Sequence, residues 1–182
     1  SAYLRARCRQ GQNSDVNLNE KLNVNHIIFV CKGNVCRSAF AEHYLRLITP
    51  DSMLIIESCG LDVDQGGFSP LDAVKVASEF SVDLRKHYSK GMAACDFQSA
   101  GLIVPMEFSQ YLRLVRLYPQ YSDKIHLLRD FTPKIERYLC NIYDPYDLGE
   151  DEFRRCFRVM QRALVGLKSR LSPKGEPKSA KK

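Results

Sequence analysis

The segment from His26 to Val30 is short, almost wholly apolar and rich in β-branched residues. It runs through Cys31-Lys32-Gly33-Asn34-Val35-Cys36-Arg37-Ser38 into Phe40, Tyr44, Leu45 and Ile48, which recur at helical spacing. A buried parallel strand that turns directly into a helix restricts the chain to layered α/β architectures, because a strand hidden on both faces needs helices to cover it. It also creates a chemical feature. The first N–H groups of the helix have no intrahelical partner and point, with the positive end of the helix dipole, at whatever the loop holds. An anion fits there.

The rest of the sequence repeats the strand and helix alternation. Apolar runs predict strands near 26–30, 53–57, 101–105 and 124–128, and amphipathic patterns predict helices near 38–48, 71–80, 109–118 and 151–170, with a shorter one near 90–95. The last helix is the clearest. Phe153, Phe157, Met160, Leu164, Leu167 and Leu171 step by three and four, with Glu150, Asp151 and Glu152 at its start and Lys168 and Arg170 at its end, matching the helix dipole. The expected fold is a three-layer α/β sandwich with a central four-stranded parallel sheet and helices on both faces. Ligands of such sheets bind beyond the carboxyl ends of the strands, where Cys31 lies.

Composition narrows the function. The 182 residues are 45% hydrophobic, and no stretch of about 18 apolar residues is present, so membrane insertion is not expected. Residues 1–25 lack an apolar signal-peptide core and read as a polar N-terminal extension. Residues 172–182, rich in Pro, Lys and Ser, read as a basic flexible tail. Between these ends the net charge of +6 disappears, since the middle carries 19 basic and 18 acidic side chains. With no basic patch interleaved with aromatics, a nucleic-acid partner is not expected. The seven cysteines have no metal-type spacing. Cys8, Cys59, Cys95, Cys140 and Cys156 read as reduced thiols of a cytoplasmic protein.

Each residue of the loop suits anion chemistry. Near a helix N-terminus and an arginine, a thiol of ordinary pKa about 8.5 can fall to roughly 3.5–7.5 and become a nucleophilic thiolate, and Cys31 is placed for that. Gly33 permits a backbone that turns successive N–H groups inward as an anion nest. Asn34 tolerates a left-handed backbone or braces the loop. Arg37 offers a planar fork that matches two phosphate oxygens. Ser38 can cap the helix or donate its hydroxyl to the thiolate. A bare Cys-x5-Arg spacing by itself favours a buried cysteine ahead of an ordinary helix start, because short motifs match often by chance.

The whole nonapeptide Val30 to Ser38 resembles the phosphate loop of the low-molecular-weight protein tyrosine phosphatases, Cys-x-Gly-Asn-x-Cys-Arg-Ser. Tyr143-Asp144-Pro145-Tyr146 resembles that family's Asp-Pro-Tyr segment. Glu57-Ser58-Cys59-Gly60 is similar to its Ser-Ala-Gly turn, and Leu102 to Glu107 to its apolar strand ending in Met-Asp or Met-Glu. The likeness spans about 26–171, which is read as the phosphatase domain. It implies hydrolysis of protein phosphotyrosine without cofactor or metal, with Cys31 as nucleophile, Arg37 as phosphate clamp and Asp144 as general acid and base. Lys32, Gly33, Asn34, Val35, Cys36, Arg37 and Ser38 would wrap the phosphate. Asp147 is the rival acid. Tyr146 is expected to form one wall of the cleft, Phe68 is the only aromatic of 61–68 available for another, and His87 is expected to brace the loop. His26, His43 and His126 read as structural. Cys36 is read equally as a trap for oxidised Cys31, as a disulfide, or as a side chain packed under the loop.

The spacing through Gly67-Phe68-Ser69-Pro70 and His87 is similar to the bacterial branch that serves tyrosine kinases of capsule and exopolysaccharide export, so a tyrosine-phosphorylated protein, and such a kinase in particular, is the implied partner. Ala39 departs from the family's proline after serine, which loosens the helix start without removing a catalytic group. Three alternatives share the fold or the loop. An arsenate reductase needs relay thiols that Met106-Glu107-Phe108-Ser109 lacks. A phosphoarginine phosphatase favours threonine where Val35 stands. A non-catalytic phosphoprotein-binding module would typically have lost Cys31, Arg37 or Asp144.

Overall fold

Strand β1 (His26–Cys31) is buried along its whole length and forms the centre of a parallel sheet ordered β2-β1-β3, with β2 (Ile55–Gly60) and β3 (Leu102–Pro105) on either side. A computed structural model describes residues 21–50, 53–133 and 139–171. Most of the expected N-terminal extension (1–20, including Cys8) and the entire expected tail (172–182) lie outside those residues. Four helices follow the sequence periodicity: α1 (Arg37–Ile48), α2 (Leu71–Ser78), α3 (Phe108–Leu117) and α4 (Glu150–Arg170). Where a short helix is expected near 90–95 there is a single 3₁₀ turn, Met92–Ala94.

Alternation along β1 sends Ile27, Phe29 and Cys31 to one face and Ile28 and Val30 to the other, so the sheet has two cores. The first is closed by α1, α2 and α4. Phe40 of α1 stacks on Phe157 of α4 with centroids 4.0 Å apart, and Phe80 meets both rings edge-on. The second is closed by Tyr111, Leu114 and Val115 of α3. Just before β1, Leu22 donates its N–H to Arg170 O (2.6 Å) and pairs with Leu171, while Val24 packs on the first core.

The expected four-stranded sheet is corrected to three strands among the described residues. The segment near 124–128 contributes one parallel bridge, Ile103 with Ile125, and one bond from His126 N–H to Ile103 O (3.0 Å). On either side the chain coils into 3₁₀ turns, Pro119–Lys124 and Leu128–Phe131. The second turn is held by the Asp130 carboxylate, which accepts the Leu127 N–H (3.1 Å). An apolar run this short forms no ladder when local side-chain bonds turn the backbone away.

Candidate active site

The carboxyl end of β1 delivers Cys31 into the loop, and α1 begins at Arg37, so the thiol and the guanidinium border one cleft of about 480 Å³. Its lining includes Cys31, Lys32, Gly33, Val35, Cys36 and Arg37 from the loop, and Asp144 and Tyr146 from the segment before α4. Cys31 Sγ lies 3.0 Å from Ser38 Oγ and accepts the Asn34 N–H at 3.2 Å.

Asn34 holds the loop in shape. It is fully buried at φ +53°, so the left-handed position falls on Asn34 and not on Gly33. Its Nδ2 donates to Ser38 Oγ (2.9 Å) and Ser58 Oγ (2.7 Å), its Oδ1 accepts the Lys90 N–H (2.9 Å), and its carbonyl faces His87 Nε2 (2.8 Å). A left-handed asparagine is tolerated because its short polar side chain can bond locally. Here those bonds tie the loop to β2 and to the segment before the Met92 turn. Ser58 Oγ in turn donates to Glu42, and buried Glu42 pairs with Arg46 Nη1 at 2.7 Å.

A carbonyl can only accept, so His87 Nε2 carries a proton, and neutral His87 must accept at Nδ1. His43 Nε2 lies 3.3 Å from that Nδ1 and is the donor to it. Burial lowers the pKa of both histidines. His43, read from sequence as structural, thus belongs to the support of the loop. One helical turn separates it from Ala39 on α1, but nothing in the sequence links it to His87. His26, by contrast, bonds Ser99 and Glu57, and His126 bonds Asp123 O, both away from the cleft lining.

Arg37 is 1% exposed. Its Nη1 bonds Glu107 and donates to Ile142 O (2.8 Å), its Nη2 meets Asp144 Oδ2 at 2.5 Å, and its Nε is buried with no partner among the described residues. Burial opposes its charge, yet the Cys31 and Asp144 anions and the Glu107 contact outweigh that and raise its pKa. A buried, unsatisfied N–H is costly unless an acceptor reaches it, and an oxyanion in the loop would supply one. In the sequence Glu107 carries no site signal beyond ending the apolar strand motif.

Asp144 borders the cleft, whereas Asp147 is exposed at φ +61° in the turn before α4 and does not line it. Tyr146 lines the cleft, and its N–H points to Asp144 Oδ1 (3.3 Å). The second aromatic wall is corrected. Phe68 packs edge-on against Tyr88 with centroids 5.1 Å apart, outside the cleft lining, and Val63, Gln65 and Gly67 occupy that side instead. The described cysteines are all free. Burial, the Asp144 charge and Cys31 push the Cys36 thiol upward, burial pushes Cys156 up to about 12, and a hydrogen bond with Cys95 together with burial raises Cys59.

The chain as a whole is similar to known proteins. The model of the family described as low molecular weight phosphotyrosine protein phosphatase matches residues 26–176. The low molecular weight protein-tyrosine-phosphatase Wzb of Escherichia coli K12 is 30% identical over 139 residues, 76% of this chain and 90% of that protein. The crystal structure of the Erwinia amylovora tyrosine phosphatase AmsI superposes with a TM-score of 0.72 at 30% identity, covering 82% of this chain and 95% of that one. Wzb of Vibrio vulnificus in complex with benzylphosphonate gives 0.71 at 27% identity, with 82% and 100% covered.

Proposed function

The chain belongs to the low molecular weight phosphotyrosine protein phosphatase family, and from that premise we propose that Cys31, Arg37 and Asp144 hydrolyse protein phosphotyrosine through a cysteinyl-phosphate. The Cys31 thiolate attacks phosphorus in line, the S–P bond forms as the P–O bond to the tyrosine breaks, and Asp144, which takes up a proton from solvent in the substrate complex, gives it to the departing phenolate. Water then attacks phosphorus, Asp144 takes its proton, the S–P bond breaks and inorganic phosphate leaves. A phenolate has a conjugate-acid pKa near 10, so a positioned acid contributes roughly 10²–10⁴-fold. Arg37 and the loop N–H groups stabilise the equatorial oxygens, the larger share of the work in phosphoryl transfer.

The observation that carries this reading is the convergence of an amide- and hydroxyl-bonded Cys31 sulfur, an Arg37 Nε without a partner among the described residues and Asp144 on one cleft. Tyr146 lends an aromatic wall for the phenyl ring, a contact worth about 0.5–1.5 kcal/mol. His87, with His43 behind it, braces the loop, and Cys36 protects the nucleophile against irreversible oxidation. In this reading residues 26–171 are the catalytic domain, flanked by a polar extension and a basic tail.

The substrate is a tyrosine-phosphorylated protein. A bacterial tyrosine kinase of exopolysaccharide export fits the likeness to Wzb and AmsI. No helix among the described residues is long and apolar enough to cross a membrane, and the free thiols suit a cytoplasmic setting. The test compares a phosphotyrosine peptide, a phosphoarginine peptide and arsenate with the wild type, Cys31→Ser and Asp144→Ala. Only phosphotyrosine should be used well, and Cys31→Ser should be inactive. Preferential turnover of phosphoarginine or arsenate would overturn the assignment.

A further inference from the structure

We propose that Lys32 is a specificity-determining residue that makes the cleft select phosphotyrosines with an acidic neighbour. The proposal rests on the phosphatase reading and deepens it. The backbone of Lys32 is fixed beside the nucleophile, since its carbonyl accepts the Asp62 N–H (2.9 Å) and the Cys31 carbonyl accepts that of Leu61 (2.9 Å). Its side chain is exposed and lines the cleft, and its ammonium has neither a hydrogen-bond nor an ion-pair partner among the described residues.

The neighbouring charges have partners within the protein. Arg37 pairs with both Asp144 and Glu107, and Lys90 reaches Glu57 at 3.6 Å. Asp62, the acid that lines the same cleft and would repel an acidic peptide, is held by Arg113 Nη1 at 2.5 Å, and Arg113 Nη2 also donates to Leu61 O (3.2 Å). The other acid of that loop, Asp64, does not line the cleft. Arg37 and the loop amides are arranged for the phosphoryl group itself. Of the charged side chains that line the cleft, Lys32 is therefore the one without a partner among the described residues, and its field reaches over a Debye length of about 8–10 Å. A carboxylate one or two residues from the phosphotyrosine is the chemistry that answers it, and an exposed pair of this kind supports a preference of about two- to fivefold.

The experiment measures kcat/KM for three phosphotyrosine peptides that differ only in flanking Glu, Gln or Lys, and for a small aryl phosphate, with the wild type, Lys32→Met, Lys32→Arg and Lys32→Glu. The readout is the ratio between peptides, which divides out any shared effect of a substitution on the loop. The wild type should favour Glu over Gln by about two- to fivefold, and the preference should fade in 1 M salt, where the Debye length is about 3 Å. Lys32→Arg should keep it, Lys32→Met should erase it, and Lys32→Glu should favour the Lys peptide. An equal rate for Glu and Gln peptides in the wild type, or a Glu preference that survives Lys32→Met, overturns the proposal while aryl phosphate turnover leaves the phosphatase reading intact. Absence of aryl phosphate turnover in the wild type overturns both.

Discussion

Asp144 Oδ2 sits 2.5 Å from Arg37 Nη2, so the group read as the proton donor is paired with the group read as the phosphate clamp. The pair is held from behind, because Arg37 Nη1 is engaged by Glu107 and by Ile142 O. Among the described residues, Nε and the second hydrogen of Nη2 are left for a ligand. A phosphoryl group in the loop would bring a second anion to the guanidinium that Asp144 already occupies on one side.

Removing the carboxylate should separate these two roles. With Asp144→Ala, kcat for phosphotyrosine should fall by roughly 10²–10⁴-fold, and by much less for an ester whose phenolate leaves without protonation. Vanadate or inorganic phosphate should bind more tightly, because the competing anion is gone. A leaving-group series together with anion inhibition constants reads both effects. An equal loss across leaving groups would remove Asp144 from the acid's role.

The buried imidazole pair should make stability sensitive to acid. His43 and His87 have pKa values below the ordinary 6.5, in each case because burial disfavours the charged form. As pH falls below about 6.5 the unfolded chain takes up these protons and the folded one does not, so stability declines until pH reaches the lowered folded values. Glu42 acts in the opposite sense on both residues and Asp83 on His43, whereas Arg46 and, for His87, Lys90 reinforce the lowering. The decline in Tm from pH 7 to pH 5 should be shallower in His43→Gln, whose amide can still donate to His87 Nδ1. In His43→Ala, which cannot donate, kcat should fall with little change in KM, and His43→Gln should restore it.

Gly60 should tolerate no side chain. A Cβ there would lie 2.7 Å from Lys32 O and 3.0 Å from Gly33 C, which are backbone atoms of the loop itself, and 2.5 Å from Val63 Cγ2. Gly60→Ala should cost about 1–3 kcal/mol by overpacking and should lower activity by shifting the loop. Gly67→Ala, at a cleft-lining position where a Cβ meets nothing within 4 Å, is the control. Denaturant midpoints and kcat/KM for the two variants decide the point.

Cys36 should determine whether oxidation is reversible. Peroxide converts the Cys31 thiolate to a sulfenic acid with release of water or hydroxide. The Cys36 thiol, kept protonated by burial, then condenses with it to a disulfide and releases a second water. After peroxide and then a thiol reductant, the wild type should recover its activity and Cys36→Ser should recover several-fold less. Intact mass should show the loss of two hydrogens in the wild type only. Equal recovery of both proteins would assign Cys36 to packing alone.

Strand β1, its loop, α1 and the long helix α4 are legible in the sequence because each is written in neighbouring residues, as an apolar run, a turn chemistry or a period of three and four. For the same reason Cys31, Arg37 and Ser38 can be singled out within one octapeptide, and Asp144 within one tetrapeptide. The partners that give those residues their state are not local. Glu107 reaches Arg37 across 70 positions, His43 meets His87 across 44, and Ser58 joins Asn34 across 24. The fourth strand, expected from a run of apolar residues, is reduced to a bridge at Ile125 by the turns around it. Phe68 is drawn to Tyr88, away from the cleft. Asp62 at the cleft is paired because Arg113 arrives from α3. Composition and order specify which groups a chain can offer. Which of them end up buried, paired or left facing a ligand depends on distances through space, and those are set only when the sheet and its two helical layers close.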